Sequence, residues 1–360
     1  MLPMAAEDEW GAWRDVTPLA MTDGPTAPFR IAYSARYSAV YSYVRAVQAS
    51  GELSARVLWL TGEAAELNPA HYTVWSLRRA CLDALGGGAA GPLAGELPWL
   101  SALMRRKGCW KNYQVWHHRR LVVERLGDGS AEADFTAEAF ADDPKNYHAW
   151  SHRQWAVRAL TGGGGGGREG GAAPAGSWAA ERALAEAMLQ ADVRNNSAWN
   201  HRWFVLTRGG GAPSALPRER WPAPAELAQE VAFAVAALGP VRLNEAAWTH
   251  LRACALLGLI CASGGGGGGE GMGMDALRQR AQPPHAAAWA AWPAALALAR
   301  DCSAAAATAH NAFACEVLAE HAEAEGDAEA ARGHYARAAE GDAIRAQYWA
   351  WRAGEVVERS

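Results

Sequence analysis

Lys111-Asn112-Tyr113-Gln114-Val115-Trp116-His117-His118-Arg119 returns 34 residues later as Lys145-Asn146-Tyr147-His148-Ala149-Trp150-Ser151-His152-Arg153. That interval is the period of a helix-turn-helix repeat of tetratricopeptide type. The pattern extends in both directions, as His71-Tyr72-Thr73-Val74-Trp75 with Arg78, Asn195-Asn196-Ser197-Ala198-Trp199 with Arg202, and Asn244-Glu245-Ala246-Ala247-Trp248 with Arg252. Five tryptophans therefore mark five copies, spaced by 41, 34, 49 and 49 residues. A sixth, degenerate copy closes the sequence at Asp342 to Trp349 with Arg352. The two quoted turns also hold two of only three lysines, in a chain with 34 residues that are Lys or Arg.

Between the tryptophans the apolar period is helical. Leu227, Val231, Ala234, Val235 and Leu238 fall on one face, as do Ala180, Leu184, Ala187 and Met188. Each repeat is thus predicted to open with an amphipathic helix and turn at Asn68-Pro69, Asp143-Pro144 or Arg194-Asn195. An Asn then caps the Trp helix. One Trp per repeat at a fixed register reads as the stacking core of a solenoid. The expected fold is all-α, a tetratricopeptide-like solenoid of helical hairpins over residues 29–360. Residues 1–28 are acidic and aperiodic and are expected to form a mobile leader without the features of a signal peptide. Gly-rich insertions near 86–95, 162–176, 209–217 and 264–273 explain the longer intervals and are expected outside the packed core.

A net charge of -4 and a sequence pI near 6.3 leave no electrostatic footprint for nucleic acid. No apolar run approaches the ~20 residues of a membrane span. Six cysteines without regular spacing suit reduced thiols and a cytoplasmic protein. His148 and His152, one helical turn apart, invite a metal hypothesis. A zinc site needs converging ligands, however, and no Cys or carboxylate stands at ligand spacing beside that pair. No metal site is expected in this chain, and its helix histidines are expected to pack and hydrogen-bond between repeats. The glycine runs lack the G-K-[S/T] of a phosphate loop. Cys109, near Lys111, is read as an incidental thiol. The K-N-Y turns remain: by spacing alone their lysines are solvated and their tyrosines packed between helices, although a cation and a hydroxyl on equivalent turns could also face an anion.

Those turns, with Trp13-Arg14-Asp15-Val16-Thr17-Pro18, Asp192 to Ser197 and Ile344-Arg345-Ala346-Gln347-Tyr348-Trp349, resemble the alpha subunits of protein farnesyltransferase and type I geranylgeranyltransferase. The resemblance implies a right-handed, crescent-shaped α-α superhelix wrapped around a beta subunit that carries Zn2+ and most of the lipid pocket. The heterodimer would move a farnesyl or geranylgeranyl group from its diphosphate to the cysteine of proteins ending in C-a-a-X, with Mg2+ assisting farnesyl transfer. No cofactor is implied for this chain alone. By the resemblance, Lys111 approaches the diphosphate as the catalytic residue and Gln114 meets the peptide carboxylate. Tyr72, Tyr113 and Tyr147 border the cleft, Asn146 and His148 stand beside them, and Lys145 matches with a less defined role. His71 departs from the asparagine expected at its position, which puts that helix cap in question. Two other readings are the alpha subunit of the Rab-specific geranylgeranyltransferase, whose turns typically read K-S-Y-G-T-W, and a non-catalytic tetratricopeptide-like scaffold.

Overall fold

The computed structural model describes residues 11–21, 24, 26–29, 31–86, 91–161, 176–208, 222–262, 289, 291–304 and 311–356. Among these residues there are fifteen α-helices and no strand. The expected insertions at 209–217 and 264–273, nearly all of 162–176 and the first ten residues of the leader lie outside them.

Two compact units divide the chain near residue 171. The first contains α1 (Ala35–Ser50), α2 (Ala55–Leu67), α3 (Tyr72–Ala84), α4 (Glu96–Lys107), α5 (Tyr113–Leu126), α6 (Glu132–Asp142) and α7 (Tyr147–Thr161). Here α2 pairs with α3, α4 with α5 and α6 with α7, and the Trp helices α3, α5 and α7 pack in succession. The second unit contains α8 (Gly176–Ala191), α9 (Asn196–Arg208), α10 (Pro224–Leu238), α11 (Glu245–Ala262), α12 (Pro293–Ala304), α13 (Ala312–Glu325), α14 (Ala328–Gly341) and α15 (Ala346–Gly354). It repeats the arrangement with the pairs α8/α9, α10/α11, α12/α13 and α14/α15.

All six register tryptophans are buried, Trp75 and Trp248 completely. Burying an indole removes about 200 Å² from water, or ~5 kcal/mol at 25 cal/mol per Å². Each of the first five indoles donates its N–H to the carbonyl six residues earlier, at Pro69, Trp110, Pro144, Val193 and Arg242. The predicted asparagine caps form: Oδ1 of Asn112, Asn146, Asn195 and Asn244 accepts backbone N–H groups of the following turn. His71 makes no side-chain cap, so the substitution does cost that helix its cap.

A buried relay stitches neighbouring repeats together. Glu132, which opens α6, accepts from Arg119 of the preceding Trp helix at 2.7 Å and from His152 of its own at 2.6 Å. Glu96 does the same between Arg78 and His118, and Glu230 between Arg202 and His250. The arginines lie over aromatic rings three residues beyond each Glu: Trp99 at 3.6 Å, Phe135 at 3.3 Å and Phe233 at 3.6 Å. Such cation–π stacking recovers part of the desolvation cost of a buried guanidinium. Each His ring also packs on the previous repeat's Trp, for example His152 on Trp116 at 5.1 Å. The histidines therefore pack between repeats, as expected, but hydrogen-bond within their own, and it is the arginines that carry the relay across.

Four expectations change. Within the stretch read as a mobile leader, Trp13 is buried against Tyr43 under the guanidinium of Arg56, which also pairs with Asp15 at 2.7 Å. The segment is therefore pinned at Trp13, and again at Leu19, whose N–H donates to the Ser42 carbonyl and whose carbonyl accepts from Arg45 Nε, while most of its other residues stay exposed. In the 86–95 insertion, Leu93 is buried between Leu82 and Val122, so that loop does reach the core. A further repeat was missed: Asn311 caps α13 through Ala314 N and donates to the Arg242 carbonyl at 2.7 Å, with Cys315 standing where other repeats have Trp. Finally, Arg252 leaves the arginine register. Buried Leu251 takes the relay position, and Arg252, one residue on, pairs with Glu316 at 2.9 Å and with Glu320.

Candidate functional site

The turn carrying Lys111 is held at both ends. Gly108 closes α4 at φ 61°, a left-handed conformation that disfavours any side chain, and its N–H caps Met104. The chain then makes one 3-10 turn, Cys109–Lys111, before Asn112 caps α5 through Gln114 N at 2.9 Å.

The following turn clasps this one. Asn146 Nδ2 donates to the Trp110 carbonyl at 2.9 Å, the acceptor already shared by the Trp116 indole at 2.8 Å. The His148 ring faces the Lys111 carbonyl. Asp143 Oδ2 lies 3.1 Å from Lys111 Nζ, while Asp143 Oδ1 accepts from Lys145 N at 3.0 Å. Those bonds, first from the Lys145 backbone and then from Lys111, hold the Asp143 carboxyl below its ordinary range. Burial lowers His148, which favours the neutral imidazole.

Outward from this clasp stand the exposed groups. The Lys111 side chain is 75% exposed, and Lys145 is exposed. Tyr72, Tyr113 and Tyr147 expose 69%, 63% and 75% of their surface, although large aromatics normally bury theirs. Each tyrosine is the first residue of its Trp helix, where the dipole is positive. Gln114 and His148 are half-buried beside them. A cation, phenol hydroxyls and a primary amide together offer donors suited to an anionic ligand. The tyrosines are thus not packed between helices, as spacing alone had them.

The structure brings Lys111, Asn146 and His148 together; Tyr72 stands one repeat earlier, with its ring near His71. Asn146, expected beside substrate, is corrected: it is 2% exposed, and both ends of its amide are engaged by backbone. It builds the turn, and only the second N–H of its Nδ2 is left over, on a side chain that solvent scarcely reaches. Sequence reading missed Asp143 as a partner of Lys111, although Asp-Pro directly before Lys145 marked a turn in which Asp folds back on its own backbone. The relay too had a legible signal in Glu-x-x-aromatic at residues 96–99, 132–135 and 230–233. Cys109 is buried, and burial pushes its thiol up, which disfavours the reactive thiolate. His118 and His152 spend Nε2 on Glu96 and Glu132, and among the described residues no cluster of three His, Cys, Asp or Glu converges.

The known repeat described as "Protein prenyltransferase alpha subunit repeat" matches residues 60–85, 108–126, 130–160 and 178–209. The Pisum sativum protein farnesyltransferase/geranylgeranyltransferase type-1 subunit alpha is 34% identical over 67% of this chain and 64% of its own length. The Dictyostelium discoideum protein of the same name is 35% identical over 67% of this chain and 68% of its own. The chain thus spans about two thirds of the length of these relatives. Among solved structures, a chain of Candida albicans protein geranylgeranyltransferase-I complexed with GGPP has a TM-score of 0.69 and 20% identity, covering 95% of this chain and 98% of that one, and so shares the fold. With the repeated Trp helices, the Asn-capped turns and these matches in agreement, this chain belongs to the protein prenyltransferase alpha-subunit family.

Proposed function

We propose that this chain is the shared alpha subunit of a heterodimeric protein farnesyltransferase and type I geranylgeranyltransferase. The observation that carries this reading is the exposed Lys111 on a turn fixed from both sides, with Gln114 and the tyrosines 113 and 147 beside it. In the transfer, the substrate cysteine sulfur forms a bond to C1 of the prenyl group as the C1–O bond breaks and diphosphate leaves with the electron pair. Charge gathers on that leaving group, and the Lys111 ammonium offsets it. Gln114 and the three tyrosines orient the peptide end and border the cleft, and Lys145 and His148 flank them.

Zinc, which would make the substrate thiol a thiolate, belongs in this reading to the beta subunit, and Mg2+ would assist farnesyl transfer. The beta subunit also selects the lipid. Exposed apolar residues before or at the starts of the Trp helices, including Tyr72, Tyr113, Tyr147, Leu243 and Ile344, fit a partner covering those ends. No helix among the described residues is long and apolar enough to cross a membrane.

The test is coexpression with a beta subunit, followed by single-turnover transfer with both diphosphates and with C-a-a-X peptides differing in the last residue. Lys111→Ala is expected to slow transfer about 10- to 100-fold while the complex still assembles, the range of one well-placed charged donor discounted for its exposure. A rate equal to that of the unmodified complex would overturn the assignment of Lys111.

A further inference from the structure

We propose that Asp143 is a positioning residue for Lys111, holding its ammonium at the mouth of the turn so that it meets an anionic leaving group without a search. This rests on the functional reading above and names a residue to which that reading gives no role.

The geometry is directional. Asp143 cannot wander, because Oδ1 is fixed by the Lys145 N–H of its own turn at 3.0 Å. That turn is itself tied to the Lys111 turn by the Asn146 amide on the Trp110 carbonyl at 2.9 Å. With one oxygen so anchored, Oδ2 presents a fixed acceptor 3.1 Å from Lys111 Nζ. The lysine is the mobile partner, a point charge on a four-carbon stem that is 75% exposed. Tethering it removes part of the orientational entropy that transfer would otherwise have to overcome. Nor does the tether consume the cation, since an ammonium has three N–H donors and Asp143 takes one.

The test uses the assembled heterodimer and Asp143→Asn, whose amide oxygen can still accept the Lys145 N–H while carrying no charge. Single-turnover transfer is expected to fall about two- to fivefold, the scale of an exposed ion pair, with peptide KM unchanged. In a Lys111→Ala background the same substitution should have no effect. Asp143→Ser, whose hydroxyl can make the same local turn, should reproduce both results if the Asn variant assembles poorly. Equal losses with and without Lys111 would make Asp143 merely structural, an unchanged rate would deny it a role, and a faster rate would make it a competing anion; each overturns the proposal. If Lys111→Ala itself transfers at the normal rate, the assignment of Lys111 fails and this inference with it; if the unmodified complex transfers neither lipid, the functional reading fails. If Lys111→Ala is slow and Asp143→Asn is not, only this inference fails.

Discussion

Replacing Glu132 with alanine isolates the relay that joins successive repeats. The carboxylate takes two bonds from Arg119 at 2.7 Å and one from His152 at 2.6 Å, with all three residues buried. Its loss leaves the Arg119 guanidinium, 2% exposed, with Ser101 Oγ at 2.8 Å and the Phe135 ring as its remaining partners. Orphaning one member of a buried pair costs about 3–5 kcal/mol. That is a large share of the ~5–15 kcal/mol that holds a domain folded. Glu138 lies on the same helix but pairs with Arg105 where both are about half exposed, so Glu138→Ala should cost under ~1 kcal/mol. Thermal and urea unfolding of the coexpressed complex, followed by circular dichroism, compares the two. Arg119→Met with Glu132→Leu should recover much of the loss, because it leaves no buried charge. Equal destabilisation by Glu132→Ala and Glu138→Ala would refute the relay as a stabilising device. There is also a pH signature. Burial alone would raise the Glu132 carboxyl, but the bonds from His152 and Arg119 outweigh it and bring it below its ordinary range. Its contribution is therefore complete above the unfolded value of about 4.3 and is lost as pH falls through the lower folded value.

Glu316 should behave in the opposite sense. Burial raises its carboxyl to about 7, beside a cavity of about 270 Å³ lined in part by Arg252, Arg345 and Tyr348. Its stabilisation is present below the unfolded value and fades as pH rises through 7, so Glu316→Gln should flatten the fall in melting temperature between about pH 4.5 and 7. His71→Asn restores the missing cap of α3 and should raise stability by about 1 kcal/mol, less whatever the imidazole's contact with Tyr41 contributes, read as a higher denaturation midpoint. Gly108→Ala forces a side chain into the left-handed region at a cost of about 1–2 kcal/mol, and should slow transfer as well by displacing the Lys111 turn. Trp13→Ala should expose residues 11–20 to limited proteolysis; an unchanged cleavage pattern would mean the segment does not depend on its indole.

Much of the fold was legible because its signals are local. Asn112 and Trp116 lie one helical turn apart, so cap and core register can be read within a single stretch, and both stand as read. The copy at Asn311 escaped because Cys315 is small and carries none of the tryptophan signature, while its cap and its bond to the Arg242 carbonyl are intact. Arg252 was placed in the arginine pattern by proximity to Trp248, but a one-residue offset turns a side chain by about 100° on a helix, away from the relay and towards Glu316 and Glu320. At the site, it was the family resemblance that singled out Lys111, Gln114 and the tyrosines, where spacing alone left the lysines solvated and the tyrosines packed. Neither could show that Asn146 is engaged by backbone or that Asp143 faces Lys111.

By itself, then, the amino-acid sequence determined the helical hairpins, the stacking tryptophans and the turns that carry the exposed groups, since periodicity and capping depend on residues within a few positions of one another. Only the tertiary structure decided which charges meet. The Arg119–Glu132–His152 relay and the Asp143–Lys111 pair join residues on different helices or turns, and their partners are set by how one repeat docks on the next.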